Sequence, residues 1–298
     1  MSELVELTPA LLRSMPLPSP ESGDKESRGR VMVVGGSREV PGAVLLAGTA
    51  ALRAGAGKLQ LAVGAAVAPQ LAVAVPESRA IALPETAGGA IDPAAAETLA
   101  ARADTCAALV IGPGMVEAGA AAALTGTLLE RVSSPGLVID AAAMSGLREQ
   151  RRALQRHGGR AIITPHAGEM ANLLGTEKAA VEGDPLGTAR RAAEELGVVV
   201  IMKGATTRIV TPDGEGWIFR GGSIGLATSG SGDVLAGVIG GLLARGAAPA
   251  QAALWGVYLH GEAGHRLGEA QGGPLGFLAR ELPPLIPRLM AGLSPGTQ

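Results

Sequence analysis

Six short apolar runs, rich in β-branched residues, set the terms for this chain: RVMVVGG (30–36), KLQLAV (58–63), ALVIG (108–112), GLVID (136–140), AIITP (161–165) and VVVIMKG (198–204). They read as apolar throughout rather than as alternating patterns. A strand with two apolar faces must be covered on both, which is the condition of a mostly parallel sheet held between helix layers. Stretches of helical character separate the runs at 43–55, 92–103, 117–131 and 186–196. The result is a β-α-β rhythm, and the fold class it predicts is α/β, with a mainly parallel central sheet flanked by helices.

The pair TRIVTPDG and GWIFRGG breaks that rhythm. Its two halves meet at Pro-Asp-Gly-Glu-Gly, the composition of a tight turn, so a hairpin is expected at one sheet edge. Helices are expected next over 232–245 and 250–268, and then a final helix punctuated by prolines. Residues 8–30 concentrate Pro, Ser and charge, which predicts an N-terminal arm or short helix and then a loop over 1–29. No linker or fixed-period repeat interrupts the remainder, so residues 30–298 read as a single domain.

Composition narrows the partners. With 298 residues, 47% hydrophobic and 17% charged, the chain can bury a sizeable core as a soluble globular protein. A net charge of -2 and 2% aromatic residues leave no basic face or stacking platform for nucleic acid. The apolar runs are far shorter than a membrane span needs. The one cysteine, Cys106, cannot close an internal disulfide and reads as a small buried hydrophobe. The N-terminus shows no secretory pattern, which makes the expected address cytoplasmic. A small diffusible ligand is the expected partner, and helix faces rich in Ala and Leu make a homo-oligomer the expected assembly.

In open α/β sheets ligands bind beyond the C-terminal strand ends. Here those ends read GGSREVPGA, GPGM, DAAAM, TPHAGEM and KGATT. The stretch ATSGSGDVLAGVIGGLLARG (227–246) adds a small-residue turn directly before a helix, with one acid, Asp233, at the junction. Amides around Gly230, Ser231 and Gly232, together with the positive end of the helix dipole, make an anion site suited to phosphate. Asp233 reads either as a first-turn acid or as a base beside that site, kept ionised by the dipole. His166 reads as a structural residue or a ligand contact. Glu169 reads as a helix cap or as a contact to Mg²⁺-bound water. Lys203, with Thr206 and Thr207 behind it, reads as a solvated strand end or a phosphate contact. No zinc spacing, dinucleotide fingerprint or P-loop lysine motif occurs; His260 and His265 are five apart, not four.

Five segments in this order resemble the ADP/ATP-dependent NAD(P)H-hydrate dehydratase family of the ribokinase-like superfamily: 33–57, VIGPGM, VIDAAAM, ITPHAGEMANLLG and GLATSGSGDVLAGVIGGLLARG. The resemblance spans about residues 25 to 290. It implies a ribokinase-like fold and a repair reaction in which the ring hydroxyl of hydrated NADH or NADPH is phosphorylated by ADP or ATP and then lost as phosphate. On this chain Asp233 would be the base, with Gly230, Ser231 and Gly232 holding charge on the phosphoryl group. Ala43, Gly114 and His166 would lie at the hydrated dinucleotide, and Lys203, Gly204, Ala205, Thr206, Thr207 and Gly232 at the nucleotide. Mg²⁺ is the implied cofactor, with Glu169 its water-mediated contact. A separate epimerase is implied as a pathway partner.

The chain departs from the family's usual pattern in several places. Ala142 stands where an Asp is usual, Ser223 where Asn is usual, and Ala167 where Pro is usual. Ser229 and Ser231 replace a Gly and a Thr. A small-alcohol kinase of the same superfamily, or a nucleotide-binding relative without catalysis, are the alternative readings.

Overall fold

The computed structural model describes residues 4–19 and 25–294; residues 1–3, 20–24 and 295–298, which belong to the expected arm and to the end of the expected domain, lie outside the described residues. Ten strands form one sheet: β1 (Val5–Glu6), β2 (Arg30–Val34), β3 (Lys58–Gly64), β4 (Ser78–Leu83), β5 (Ala108–Ile111), β6 (Gly136–Ile139), β7 (Ala161–Ile163), β8 (Val199–Met202), β9 (Thr207–Val210) and β10 (Gly216–Phe219). Their order is β1-β10-β9-β8-β7-β6-β5-β2-β3-β4. From β4 to β8 every pairing is parallel, while β9 pairs antiparallel with both β8 and β10.

The absence of alternation in the strands has the expected cause. Val31, Val33, Leu61, Val110, Val138 and Ile162 point into one core, and Met32, Val34, Leu109, Ile111, Leu137 and Ile163 into the other. Helices α2 (Gly42–Arg53), α10 (Ser231–Ala244) and α11 (Pro249–Ala270) cover the first face. Helices α4 (Ala95–Ala103), α5 (Ala118–Arg131) and α9 (Pro185–Leu196) cover the second. Shorter helices complete the layers: α1 (Pro9–Ser14), α3 (Ala68–Ala74), α6 (Arg151–Gln155), α7 (Ala167–Leu174), α8 (Lys178–Gly183) and α12 (Ile286–Leu293).

Two features differ from the sequence reading. The hairpin β9–β10 is present but is not the sheet edge, because β1 pairs in parallel with β10 and covers it. The N-terminal arm is therefore partly built into the body. Leu12 of α1 is fully buried, and Trp255 Nε1 and Gln251 Nε2 both donate to the Met15 carbonyl, at 3.0 Å each.

Helix α10 is the element that positions the site. It is buried from Val234 to Ala244 against β5 and β6, between α2 and α11. Such depth requires close backbone approach. A Cβ on Gly237 would meet the Ala47 carbonyl oxygen at 2.1 Å, and one on Gly241 would meet that of Ala51 at 2.3 Å. The two helices therefore run in register, 237 beside 47 and 241 beside 51. One turn earlier, the same register sets Asp233 level with Ala43. Since backbone cannot yield as a flexible side chain does, Gly237→Ala is expected to destabilise the protein by about 1–3 kcal/mol, read as a lower midpoint in urea unfolding.

Candidate active site

The strand order reverses between β2 and β5, where β2 pairs with β3 on one side and β5 on the other. The loops leaving these two strands pack closely against each other. A Cβ on Gly114 (φ 70°) would lie 2.4 Å from the Val40 carbonyl oxygen, 2.9 Å from the Ala43 Cβ and 3.2 Å from the Gly36 Cα. Ala43 and Gly114, expected together from sequence, are thus in contact at the switch point, the usual ligand position in this architecture.

A larger cleft, of about 690 Å³, opens at the start of α10. Lys203, Gly204, Ala205 and Thr207 line one wall, with His166 beside them, and Ser231 and Gly232 line the base. Phe219, Leu226, Leu235 and Val257 give its far end an apolar surface. Of the residues expected here, Thr206 does not line the cleft; its carbonyl accepts from Arg208 Nη1 at 3.2 Å. Ser223 does line it, and its hydroxyl is used locally, accepting from the Gly225 amide and donating to the Pro274 carbonyl, both at 3.2 Å.

The first turn of α10 borders this cleft. Gly230 is the N-cap and turns the chain with φ 88°, a conformation that costs glycine little. The Ser231 amide donates to the Thr228 carbonyl at 3.2 Å, and the Val234 amide to that of Gly230 at 3.1 Å. Among the described residues the Gly230, Gly232 and Asp233 amides have no acceptor, so within the expected 230–232 run only the Ser231 amide is already used, and the start of the helix keeps N–H groups of the kind that bind anions.

Asp233 occupies the third helical position, yet its carboxylate makes no capping bond. Sequence reading expected the helix dipole to keep it ionised. The structure corrects this: burial, reinforced by the negative charge of Asp140, pushes its pKa up to about 7, with Lys203 acting in the opposite sense. Desolvation and a like charge outweigh the dipole, whose effect is modest and confined to the terminal turn.

Asp140, at the end of β6, has 3% of its surface exposed and was not among the expected site residues. Its Oδ1 accepts from Thr164 Oγ1 at 2.5 Å and from Lys203 Nζ at 3.2 Å. The next residue, Ala141, has φ 51°, the one non-glycine residue in the left-handed region among those described. Such strain persists where surroundings over-determine it, and here it turns the chain at the strand end beside the cluster.

Lys203 is no solvated strand end. Burial works against its ammonium, but Asp140 and Glu169 outweigh burial and raise its pKa. It lies 3.6 Å from Glu169 Oε2 as well as 3.2 Å from Asp140. A Cβ on Gly232 would lie 3.6 Å from its Nζ, which places the ammonium beside the first turn of α10.

His166 and Glu169 form a reciprocal cap on α7. His166 Nδ1 accepts from the Gly168 and Glu169 amides, and Glu169 Oε2 accepts from the His166 amide at 2.8 Å. The capping role expected of Glu169 is therefore filled by one oxygen, while Oε1 takes no part in these contacts. Among the described residues no cluster of three or more His, Cys, Asp or Glu could hold a metal. This donor set suits Mg²⁺ carried mainly on ligand oxygens and water, with Glu169 Oε1 as a contact through water, and does not suit a cation ligated by protein alone.

Comparison with known proteins gives the family. A family model described as NAD(P)H-hydrate dehydratase matches residues 31–288. An ADP-dependent (S)-NAD(P)H-hydrate dehydratase of Xanthomonas campestris is 49% identical over 290 residues, covering 97% of each chain. The structure of an ADP/ATP-dependent NAD(P)H-hydrate dehydratase of Bacillus subtilis, co-crystallized with ATP/Mg²⁺, superposes with a TM-score of 0.81 at 27% identity, over 99% of this chain and 100% of that one. A ribokinase-like superfamily protein of Enterococcus faecalis shares the fold at 23% identity and a TM-score of 0.81, over 98% of this chain and 96% of that one. With the family model spanning most of its length and a relative sharing half its residues, the chain belongs to the NAD(P)H-hydrate dehydratase family.

Proposed function

We propose that this protein returns hydrated NADH or NADPH to the reduced dinucleotide, using ADP or ATP to turn a poor leaving group into a good one. The observation that carries the reading is the position of Asp233: level with Ala43 of α2, and one residue from Gly232, which lines the larger cleft. The nucleotide occupies the larger cleft with its phosphates toward Lys203 and Gly232. The hydrated ring lies toward Gly36, Ala43 and Gly114.

Each proton and bond then has a place. Asp233, ionised, accepts the proton of the ring hydroxyl while that oxygen attacks the terminal phosphorus, and the bond to the departing ADP or AMP breaks. The Gly232 and Asp233 amides hold the charge on the transferring group. Phosphate then leaves with the C–O electron pair, the neighbouring carbon gives up a proton to the departing phosphate or to water, and the ring double bond re-forms. Lys203 keeps its ammonium beside the phosphates because Asp140 and Glu169 keep it charged. Mg²⁺, bound with the nucleotide, would supply further neutralisation of phosphate charge, with Glu169 as its contact through water. The Xanthomonas relative is named for the S form of the substrate; for a chain with that preference, an epimerase on a separate protein supplies the S form from the R form. The dinucleotide pool it serves is that of the cytoplasm.

The reading is tested by mixing the protein with hydrated NADH, Mg²⁺ and ADP or ATP. Reduced nicotinamide absorbance should return with either nucleotide or both. No return with either, or equal phosphorylation of thiamin precursors, would overturn it. Asp233→Asn should bind nucleotide normally yet lose about 10²–10⁴-fold in turnover, because an amide cannot accept the proton. In the wild type, kcat/KM should fall below a midpoint near pH 7, as Asp233 takes up its proton.

The same raised pKa has a stability consequence. Because the folded state holds this proton up to about pH 7, whereas the unfolded chain releases it near its ordinary value of 3.8, stability is lost as pH rises between them. Asp233→Asn should therefore melt higher than wild type at pH 8, with the gap closing toward pH 4. Lys203→Ala should weaken ADP or ATP binding by about 10-fold or more in calorimetry, and should also lower the melting temperature because Asp140 is left unpaired.

A further inference from the structure

His260, on α11, lines the same cleft as Lys203, and no step described above uses it. Its Nε2 lies 3.0 Å from the Ser231 carbonyl oxygen and 2.9 Å from Ser231 Oγ. A carbonyl oxygen can only accept, so the first contact settles the tautomer: Nε2 carries the hydrogen. Ser231 Oγ, within reach of the same N–H, then meets a donor and not an acceptor. Its own hydroxyl hydrogen cannot be directed at the ring and is left for the cleft, where Ser231 is part of the base.

The position of the contact matters as much as its chemistry. Ser231 is the first residue of α10 and precedes the two open amides of Gly232 and Asp233. Fixing its carbonyl fixes the direction in which the helix begins, and His260 does this from a different helix, 29 residues away in sequence. The ring is well suited to the task. Burial, the largest influence, pushes its pKa down to about 4, so the imidazole stays neutral and keeps one N–H and one lone pair. A doubly protonated ring would add a positive charge beside Lys203.

We propose that His260 is a positioning residue for phosphoryl transfer: through Nε2–H it anchors the first turn of α10 and orients the Ser231 hydroxyl so that its hydrogen meets a phosphoryl oxygen of the bound nucleotide. The residue holds a donor in place and moves no proton. This rests on the reading of the larger cleft as the nucleotide site, and the experiment separates the two.

ADP and ATP binding by calorimetry, turnover of hydrated NADH and thermal midpoint are measured for wild type, His260→Gln, His260→Leu, Ser231→Ala and Ser231→Ala/His260→Leu. Glutamine can set an amide N–H near the position of Nε2–H; leucine cannot. His260→Leu should lower kcat by about 10–100-fold, the loss of a positioned hydrogen bond in the transition state, with the KM for hydrated NADH within about twofold of wild type. His260→Gln should recover most of that loss. On the Ser231→Ala background the leucine substitution should cost several-fold less than it does alone, since part of its effect acts through the missing hydroxyl.

A glutamine variant as impaired as the leucine variant while melting normally would overturn the proposal in favour of proton transfer by the ring. Equal leucine costs on both backgrounds would also overturn it, leaving only a packing role. Wild type that binds neither ADP nor ATP would instead refute the reading of the cleft.

Discussion

One carboxylate is held in a place where two opposing electrostatic influences meet, and the remaining architecture follows from keeping it there. Asp233 stands at the positive end of α10, which favours its charge, yet it is half withdrawn from water and faces the charge of Asp140, which disfavours it. Had the acid been exposed, it would be ionised at all working pH and a feeble base. Had it been buried without Lys203 nearby, it would hold its proton too firmly to accept another. A value near neutrality makes a carboxylate useful for taking a proton from an alcohol.

Holding that balance needs rigidity on every side. The parallel sheet delivers β2, β5, β6, β7 and β8 to one edge, so that Gly36, Gly114, Asp140, Thr164 and Lys203 converge although they are scattered over 168 residues, from 36 to 203. The small residues of α10 serve two ends. At its start they leave amides open to an anion, and further along they let the helix touch the backbone of α2. Three carboxylates (Asp140, Glu169 and Asp233) share one ammonium, Lys203, so the cluster carries excess negative charge when Asp233 is ionised. A polyanionic nucleotide entering beside it would raise Asp233 further unless a cation arrives with it, which gives a physical reason for pairing this protein geometry with a nucleotide–metal complex.

Much of this was legible in the residues. Doubly apolar strands announced the covered parallel sheet, and the Gly-Asp junction before an apolar helix marked the helix start at which amides lie open. Strand β1, only Val5 and Glu6, was too short to carry a pattern, and β4, SRAIAL, is largely half-exposed and mixes polar with apolar side chains. Asp140 was passed over because a single acid after a strand has no periodicity to distinguish it; its meaning comes from Lys203, 63 residues away. His260 was weighed only as a metal ligand, and its bond to Ser231 crosses from one helix to another. The ionisation of Asp233 was misjudged for a related reason: the dipole of a helix follows from sequence, whereas the depth of burial and the nearest like charge follow only from the fold.

The balance at Asp233 can be read directly by following its side-chain carboxyl carbon by NMR in isotope-labelled protein from pH 4 to 9, with Asp233→Asn to assign the signal. The account requires a midpoint near 7, moving lower when Asp140 is replaced by Asn. A carboxyl that titrates near 4, with no response to that replacement, would contradict it.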